Sequence, residues 1–486
     1  MAWARRRRVL ALGATLALLF VACSGDDGEG AKGTTTTAPH RNIETPEMPA
    51  IEGPVTGPGT AYIDPLEAGF PEGDQAADFG YVFDEYFASG TAAGEPYRVR
   101  VQVARPGEDA VKPFSGHAIV EAIHPQGIPF VWNFTRDYLM AHGHAAVNIS
   151  VFPNTVETLK GANPERYGDL HVATDETNAN SSIAFDHASD IYTQVGRWLK
   201  SEQTPLPGAR WLYLTGHSMS VGPVWQYMNS HHDRLRLDGG DPIYDGFFPE
   251  TTRTASRMGP FPEVDVPTLL INSELEVEEV LVKDGIDYRR PDSDEPGKQF
   301  RLYEVAGMPH NPSWMHPLLL QGLGIASIAE QRCANPLNSF PYNPTISMAL
   351  DHLLRWVEDD VPPPHAKPIE LTGEPGDDDV AVVRDERGNA VGGLRSTTLD
   401  VPTATHQALN EPLDPSQDLA PGGCLVYGSQ IDFSPEQLES LYGDKDSYVA
   451  AVDERIDELV DDGWVLEQFA DELHQRAEEL DGFDRA

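Results

Sequence analysis

Basic residues are scarce in this sequence. The 486 residues include 35 Lys and Arg against 77 Asp and Glu, which gives a formal net charge of −42. Proteins bind nucleic acids through clusters of Lys and Arg that neutralise phosphates. We therefore expect no nucleic-acid partner for this chain.

Long apolar runs are also scarce, and the run at the N-terminus is too short to span a membrane as a mature helix. It covers residues 9–22 and follows four arginines at positions 5–8. A basic start followed by a short apolar run is typical of an export signal. The sequence predicts a signal peptide over residues 1–22.

Cysteine occurs three times, at positions 23, 333 and 424. The first follows Phe20-Val21-Ala22, and this segment resembles the lipobox of bacterial lipoproteins, in which the cysteine becomes the lipidated N-terminus. The resemblance implies that Cys23 is lipidated and that the protein is anchored to the cell membrane, outside the cytoplasm. The alternative is an ordinary cleaved signal that contains a cysteine. Removal of residues 1–22, which hold four arginines and no acid, would leave 31 basic and 77 acidic residues, a net charge of −46.

The two remaining cysteines lie far from the export signal. An exported chain with two cysteines left over can pair them, so Cys333 and Cys424 are a candidate disulfide. This bridge would tie the C-terminal region to the rest of the protein.

The chain divides by composition into four parts. After the signal peptide, residues 23–58 are rich in Gly, Thr and Pro without periodicity, which is typical of a flexible tether. Residues 59–365 alternate strand and helix patterns. Residues 366–486 form a C-terminal region that ends in acidic amphipathic helices, which we expect to pack on the core.

The alternating patterns predict an α/β fold. Residues 118–123, 145–151, 211–214, 266–271 and 300–305 read as buried strands separated by helical stretches. Such alternation requires a mostly parallel central sheet with helices on both faces. An earlier strand around residues 97–103 alternates apolar and polar side chains, so we expect it near a sheet edge.

A candidate nucleophile follows the strand at residues 211–214. Gly216-His217-Ser218-Met219-Ser220 approximates the G-x-S-x-G elbow, with Ser220 in the last small position, and a helical pattern follows. A serine hydroxyl becomes a useful nucleophile when a sharp strand-to-helix turn projects it beside backbone N–H groups. The context predicts Ser218 as the nucleophile.

An acid and a histidine should follow in chain order. The strand at residues 266–271 leads to Glu274 and Glu276, and the strand at residues 300–305 leads to His310. We predict Glu276 as the orienting acid, with Glu274 as the alternative, and His310 as the base.

Acyl transfer also requires donors for the oxyanion. The backbone N–H of Met219, directly after the nucleophile, is the predicted first donor. The second should come from the loop after the strand at residues 118–123. Pro125 has no N–H, so the backbone N–H of His124 is the prediction. The acidic clusters lack the pattern of a calcium loop, and we expect neither a metal nor an organic cofactor.

Several segments together resemble the alpha/beta hydrolase domain proteins of the actinobacterial type, which are mostly uncharacterised. They are residues 163–168, 216–220, 273–276, 290–294 and 300–310, within a resemblance over about residues 60–480. The resemblance implies an α/β-hydrolase fold with Ser218, Glu276 and His310 as a catalytic triad, and it names no substrate.

The sequence thus predicts an exported, lipid-anchored serine hydrolase that resembles carboxylesterases and acts on a small-molecule ester or a related acyl compound. A peptidase or an acyltransferase would use the same triad. A non-catalytic surface-binding lipoprotein that keeps the hydrolase fold is the alternative from another class.

Overall fold

The computed structural model of this chain describes most residues from position 43 onward. The predicted signal peptide and Cys23 lie outside the described residues. In the described part, no helix has both the length and the apolar character needed to cross a membrane. The described residues are 43–62, 66, 70, 74–173, 182–253, 255–315, 333–413 and 423–483.

A central sheet of nine strands organises these residues. Their spatial order is β1-β2-β3-β5-β4-β6-β7-β8-β9. The first four strands in this order pair antiparallel, and the rest of the sheet, from β5 to β9, is parallel. The strands are β1 (Ala50–Glu52), β2 (Tyr81–Ala92), β3 (Glu95–Pro106), β4 (His117–Ala122), β5 (Ala145–Ile149), β6 (Trp211–His217), β7 (Gly246–Glu250), β8 (Thr268–Ser273) and β9 (Phe300–Val305).

Helices cover both faces of the sheet. They are α1 (Phe130–His142), α2 (Pro153–Ala162), α3 (Pro164–Tyr167), α4 (Ser182–Leu199), α5 (Val221–Ser230), α6 (Glu274–Glu276), α7 (Tyr342–Asp359), α8 (Thr397–Asp400), α9 (Pro435–Tyr442), α10 (Lys445–Asp461) and α11 (Glu467–Glu478). One buried cluster joins the sheet to α4 and α5. A second cluster joins the opposite face to α1 and α7. The predicted α/β fold, with a mostly parallel sheet between helical layers, is confirmed.

The parallel strands form where apolar runs can be buried from both sides. Every residue of β4, β5 and β8 is buried, as a sheet covered on both faces requires. The prediction that the strand around residues 97–103 lies near a sheet edge is wrong, because this strand, β3, lies third in the sheet. The long strand β2 pairs with β3 along its full length and separates it from the edge.

The predicted tether extends too far along the chain. Within it, β1 pairs antiparallel with residues 87–89 of β2. The backbone N–H of Glu44 donates to the carbonyl of Arg234 at 2.9 Å, and Arg166 Nη2 donates to the carbonyl of Val55 at 2.7 Å. Residues 43–58 therefore belong to the folded protein. The pairing of β1 and these two hydrogen bonds involve main-chain groups of residues 43–58, and such contacts leave no periodic pattern in the sequence.

The C-terminal region contains the predicted acidic helices. Ser434 forms a capping box with Gln437 at the start of α9. Helices α10 and α11 bury a small apolar cluster between them. Phe469 of α11 also joins the core cluster of the hydrolase sheet, and His352 Nε2 of α7 lies 3.0 Å from the carbonyl of Gly463. The acidic helices therefore pack on the core.

The C-terminal region also supports the loop after β9, which carries His310. Two strands, β10 (Ala404–Gln407) and β11 (Ser429–Asp432), form a separate antiparallel pair. Just before β11, the carbonyl of Val426 accepts a hydrogen bond from the backbone N–H of Asn311 at 2.8 Å. Cys424, at the start of the same turn, forms a disulfide with Cys333, with a Cα–Cα distance of 5.4 Å. The disulfide thus fixes the segment that contacts the residue after His310.

We predict that Cys424→Ser lowers the free energy of unfolding by about 2–5 kcal/mol, because the bridge closes a long loop in the unfolded chain. Urea unfolding of the exported protein measures the change. Cys333→Ser and the double variant should lose the same amount, since all three lack the same bond. Two thiols that react readily in the native parent would contradict the pairing.

Candidate active site

Ser218 lies at the turn from β6 into α5. A short 3-10 turn, Ser218–Ser220, joins the two elements. The backbone of Ser218 has φ 55°, a left-handed conformation that residues other than glycine rarely adopt. Two residues earlier, a Cβ on Gly216 would lie 2.5 Å from the carbonyl oxygen of Ser220. The sharp turn therefore requires glycine at 216, and it places the serine in the strained geometry typical of a nucleophile elbow.

A chain of hydrogen bonds supports this turn. The backbone N–H of Ser218 donates to Thr251 Oγ1 at 3.2 Å. Thr251 Oγ1 lies 2.9 Å from His217 Nδ1, and His217 Nε2 lies 2.9 Å from Asn311 Oδ1. Since an amide oxygen only accepts, Nε2 carries a proton, and the threonine hydroxyl can donate to Nδ1. His217 therefore acts as a buried link between the elbow and the residue after His310.

Glu276 and His310 contact each other directly. Glu276 Oε1 lies 2.7 Å from His310 Nδ1, and both side chains are buried. The other carboxylate oxygen, Oε2, accepts hydrogen bonds from the backbone N–H of Ser273 at 3.0 Å and from its hydroxyl at 2.6 Å. This arrangement fixes the carboxylate and leaves Nε2 of His310 as the available ring nitrogen.

Glu274, the alternative acid, has different partners. Its Oε2 accepts a hydrogen bond from the backbone N–H of Gly307 at 2.6 Å. Its Oε1 accepts one from Arg384 Nη2 at 2.8 Å, and Arg384 also pairs with Glu278 at 2.7 Å. Glu274 therefore braces the loop after β9, while Glu276 is the carboxylate that faces the histidine.

The electrostatics favour a neutral histidine beside an ionised glutamate. Burial lowers the pKa of His310, and the charge of Glu276 offsets this only in part, so the pKa lies below its ordinary value of 6.5. Burial raises the pKa of Glu276. A positive charge on His310 and the hydrogen bonds from His310 and Ser273 lower it by more, so the pKa lies below its usual range. At neutral pH, His310 can therefore accept a proton through Nε2.

Among the described residues, no hydrogen bond joins the partly buried Ser218 to the buried His310. The ring of His217, the residue before Ser218, lies 4.9 Å from the ring of His310. Hydrogen bonds between catalytic groups are often long in a free enzyme and shorten when substrate binds. The contact between Ser218 and His310, and with it the triad, therefore remains a prediction.

The two predicted oxyanion donors differ in whether their backbone N–H groups already have an acceptor. Among the described residues, no acceptor contacts the backbone N–H of Met219. The backbone N–H of His124 instead donates to the carbonyl of Ile128 at 3.0 Å, so the prediction of a backbone donor at His124 is wrong. The loop closes on itself here, with Gly127 in a left-handed conformation at φ 86°, and this closure uses the His124 N–H.

Several residues of the site carry no signal in the sequence. Glu250 ends β7, a strand without a recognisable motif, and Thr251 follows it directly. The fully buried Glu250 accepts a hydrogen bond from the hydroxyl of Tyr342 at 2.8 Å, and its Oε1 lies 3.5 Å from His217 Nδ1. Tyr342 begins α7, far along the chain. Only the fold brings these groups together.

A possible metal-ligand cluster in the described part of the chain consists of His232, Asp233 and Asp265. Arg236 contacts both carboxylates, Asp265 at 2.8 Å and Asp233 at 3.5 Å. Because the arginine already supplies a positive charge to these carboxylates, the cluster is an ion-pair network and we assign no metal to it.

The strand order and the turn after β6 define the α/β-hydrolase fold. The family described as alpha/beta hydrolase domain matches residues 47–475. The chain therefore belongs to the alpha/beta hydrolase domain family. No curated protein matches the sequence.

Similar solved structures include esterases and a dienelactone hydrolase. Brefeldin A esterase, described as a bacterial homologue of human hormone-sensitive lipase, has 11% identity and a TM-score of 0.25, covering 39% of this chain and 60% of its own. Dienelactone hydrolase from Anabaena variabilis has 13% identity and a TM-score of 0.27, covering 51% and 94%. An esterase from Pseudomonas putida has 14% identity and a TM-score of 0.24, covering 44% and 72%. No substrate is assigned from these likenesses.

We predict that Arg384→Met lowers the free energy of unfolding by about 2–3 kcal/mol, because it leaves the buried Glu274 carboxylate without its cation. The range is below that of a fully buried pair because Arg384 remains a quarter exposed. Urea unfolding at neutral pH measures the change. The control is Arg387→Met, which removes a surface pair with the exposed Glu386 and should change little. Equal effects of the two variants would contradict this account of Glu274.

Proposed function

We propose that this protein is a serine hydrolase of the carboxylesterase type, with Ser218 as nucleophile, His310 as base and Glu276 as orienting acid. The observation that carries the proposal is the buried hydrogen bond of 2.7 Å between Glu276 and His310. The left-handed backbone of Ser218 supports it, as does the ring contact of His310 with His217, the residue before the serine. A buried imidazole of lowered pKa with a fixed carboxylate suits general-base catalysis.

The reaction proceeds through an acyl-enzyme. Ser218 Oγ attacks the carbonyl carbon of the ester while its proton passes to His310 Nε2. The tetrahedral intermediate then collapses, the bond from carbon to the alcohol oxygen breaks, and His310 returns the proton to the departing alcohol. Water attacks the acyl-enzyme by the same two steps, which releases the acid and restores Ser218.

An ester is the proposed substrate class because a nucleophile attacks an ester carbonyl more readily than an amide carbonyl, which resonance with nitrogen stabilises more strongly. The same triad would serve a peptidase or an acyltransferase, which differ in the leaving group and the acceptor. Oxyanion stabilisation begins with the backbone N–H of Met219, which has no acceptor in the described structure.

The location of the enzyme is part of the proposal. We place it outside the cytoplasm, held to the cell membrane by lipid on Cys23. The sequence of residues 1–23 supports this. The disulfide between Cys333 and Cys424 supports it as well, because such bonds persist in oxidising compartments.

We predict that a fluorophosphonate probe labels the parent protein and that Ser218→Ala abolishes both labelling and hydrolysis of p-nitrophenyl esters, since Ser218 is the proposed nucleophile. Ser220→Ala is the matched control. Its hydroxyl is buried without a partner, so this variant should keep labelling and fold. A folded parent that neither reacts with the probe nor turns over esters of any chain length would overturn the proposal in favour of a non-catalytic binding protein.

We predict that Glu276→Gln lowers kcat/KM by about 10³–10⁴-fold, because the imidazole loses both its orientation and the charge that stabilises its protonated form. Glu274→Gln should lower it by less than about 10-fold, since this carboxylate does not contact His310. The assay is ester hydrolysis with parallel thermal unfolding.

The pH profile of kcat/KM separates this role from a loss of structure. Burial keeps the pKa of His310 below 6.5, so the acidic limb of the parent should lie below pH 6.5. Since Glu276 raises the pKa of His310, its removal should shift the limb to still lower pH. A greater loss in Glu274→Gln than in Glu276→Gln would refute the assignment of the acid.

A further inference from the structure

His124 and the nucleophile follow the carboxyl ends of two neighbouring parallel strands. Strands β4 and β6 are parallel neighbours, and Glu121 pairs in register with Thr215. Three residues beyond each partner lie His124 and Ser218. The ring of His124 packs on Phe130 with centroids 4.8 Å apart, and Phe130 in turn packs on His217, also at 4.8 Å. His124 and His217, the residue before Ser218, therefore pack on the same phenyl ring.

The hydrogen bonds of its loop determine which ring nitrogen of His124 carries the proton. The backbone N–H of Gln126 donates to Nδ1 at 3.3 Å. A backbone N–H can only donate, so Nδ1 is the acceptor and the neutral ring holds its proton on Nε2. Burial, together with the charges of His217 and His310, keeps the pKa of His124 well below its ordinary value. The ring is therefore neutral at pH 7 with a donor at Nε2.

This donor has no hydrogen-bond partner among the described residues. The residue is 5% exposed, and Nε2 is not one of the fully enclosed atoms without a partner, so solvent or a bound molecule can reach it. Nδ1 faces the loop's own backbone, so Nε2, across the ring, faces away from that loop. An acceptor supplied by a bound substrate would satisfy it.

We propose that the imidazole Nε2–H of His124 is the second oxyanion donor, acting with the backbone N–H of Met219. The inference rests on the proposed serine-hydrolase function and deepens it. In the tetrahedral intermediate, the former carbonyl oxygen accepts hydrogen bonds from both groups. His124 donates without transferring its proton, and neutral imidazole is a known electrophile of this kind. The side chain thus takes the role that its backbone N–H, bonded to Ile128, cannot fill.

The test replaces the donor while keeping the packing on Phe130. His124→Phe should lower kcat by about 10²–10³-fold with little change in KM, because the interaction strengthens only when negative charge develops. His124→Gln, whose side-chain amide can still donate, should recover at least about 10-fold of that loss. Ester kinetics of the parent and both variants give these values.

A second readout distinguishes donation from a structural role. A trifluoromethyl ketone forms an oxyanion adduct with the serine, so its inhibition constant should rise in His124→Phe by the same factor as kcat/KM falls. Thermal unfolding reports whether each variant folds. An active parent with His124→Phe within about 3-fold in kcat would overturn the inference and leave the proposed function intact. An inactive, unlabelled parent would overturn both.

The tautomer can be measured even if His124→Phe does not fold. Histidine labelled with ¹⁵N in the parent protein gives distinct shifts for protonated and unprotonated ring nitrogens. The signals of His124 are those absent from His124→Gln. A proton on Nε2 at neutral pH is expected, and a proton on Nδ1 would overturn the inference because Nε2 could then only accept.

Discussion

The hydrogen bond between Glu276 and His310 is the interaction on which the site depends. Both side chains are buried, and an ionised carboxylate in such a place is costly unless its oxygens are satisfied. Ser273 supplies two donors to one oxygen and His310 supplies one to the other. The end of β8 thus creates a stable negative charge inside the protein. That charge fixes the orientation of the imidazole and favours its protonated form during catalysis.

The loop that carries His310 is held by parts of the chain far from the sheet. The backbone N–H of Gly307 is fixed by Glu274, which Arg384 from the C-terminal region neutralises. The backbone N–H of Asn311 is fixed by the carbonyl of Val426, beside the disulfide of Cys424. Catalytic geometry tolerates errors of only a fraction of an ångström. The C-terminal region is therefore part of the support of the site.

Much of this arrangement could be predicted from sequence, and what was missed has physical reasons. The parallel strands and the order Ser218, Glu276, His310 follow from local patterns and chain order. The predicted position of β3 in the sheet is wrong because β2, the strand that pairs with it, mixes exposed and buried residues. The backbone of His124 was misassigned because loop closure depends on geometry that residue types do not specify. Arg384 and Thr251 meet the site only through long-range folding.

Three imidazoles share one buried cluster, and their hydrogen bonds give each a different role. His217 lies between Thr251 and Asn311, so both ring nitrogens are occupied. His124 accepts a hydrogen bond from a backbone N–H at Nδ1, so its Nε2 can only donate. His310 alone has a hydrogen bond from Nδ1 to a carboxylate, so protonation at Nε2 creates a cation that is already paired. Burial lowers the pKa of His124 and His310 alike, and without that pairing nothing would direct a proton to one ring. In the proposed mechanism, the position of Glu276 therefore selects His310 as the base.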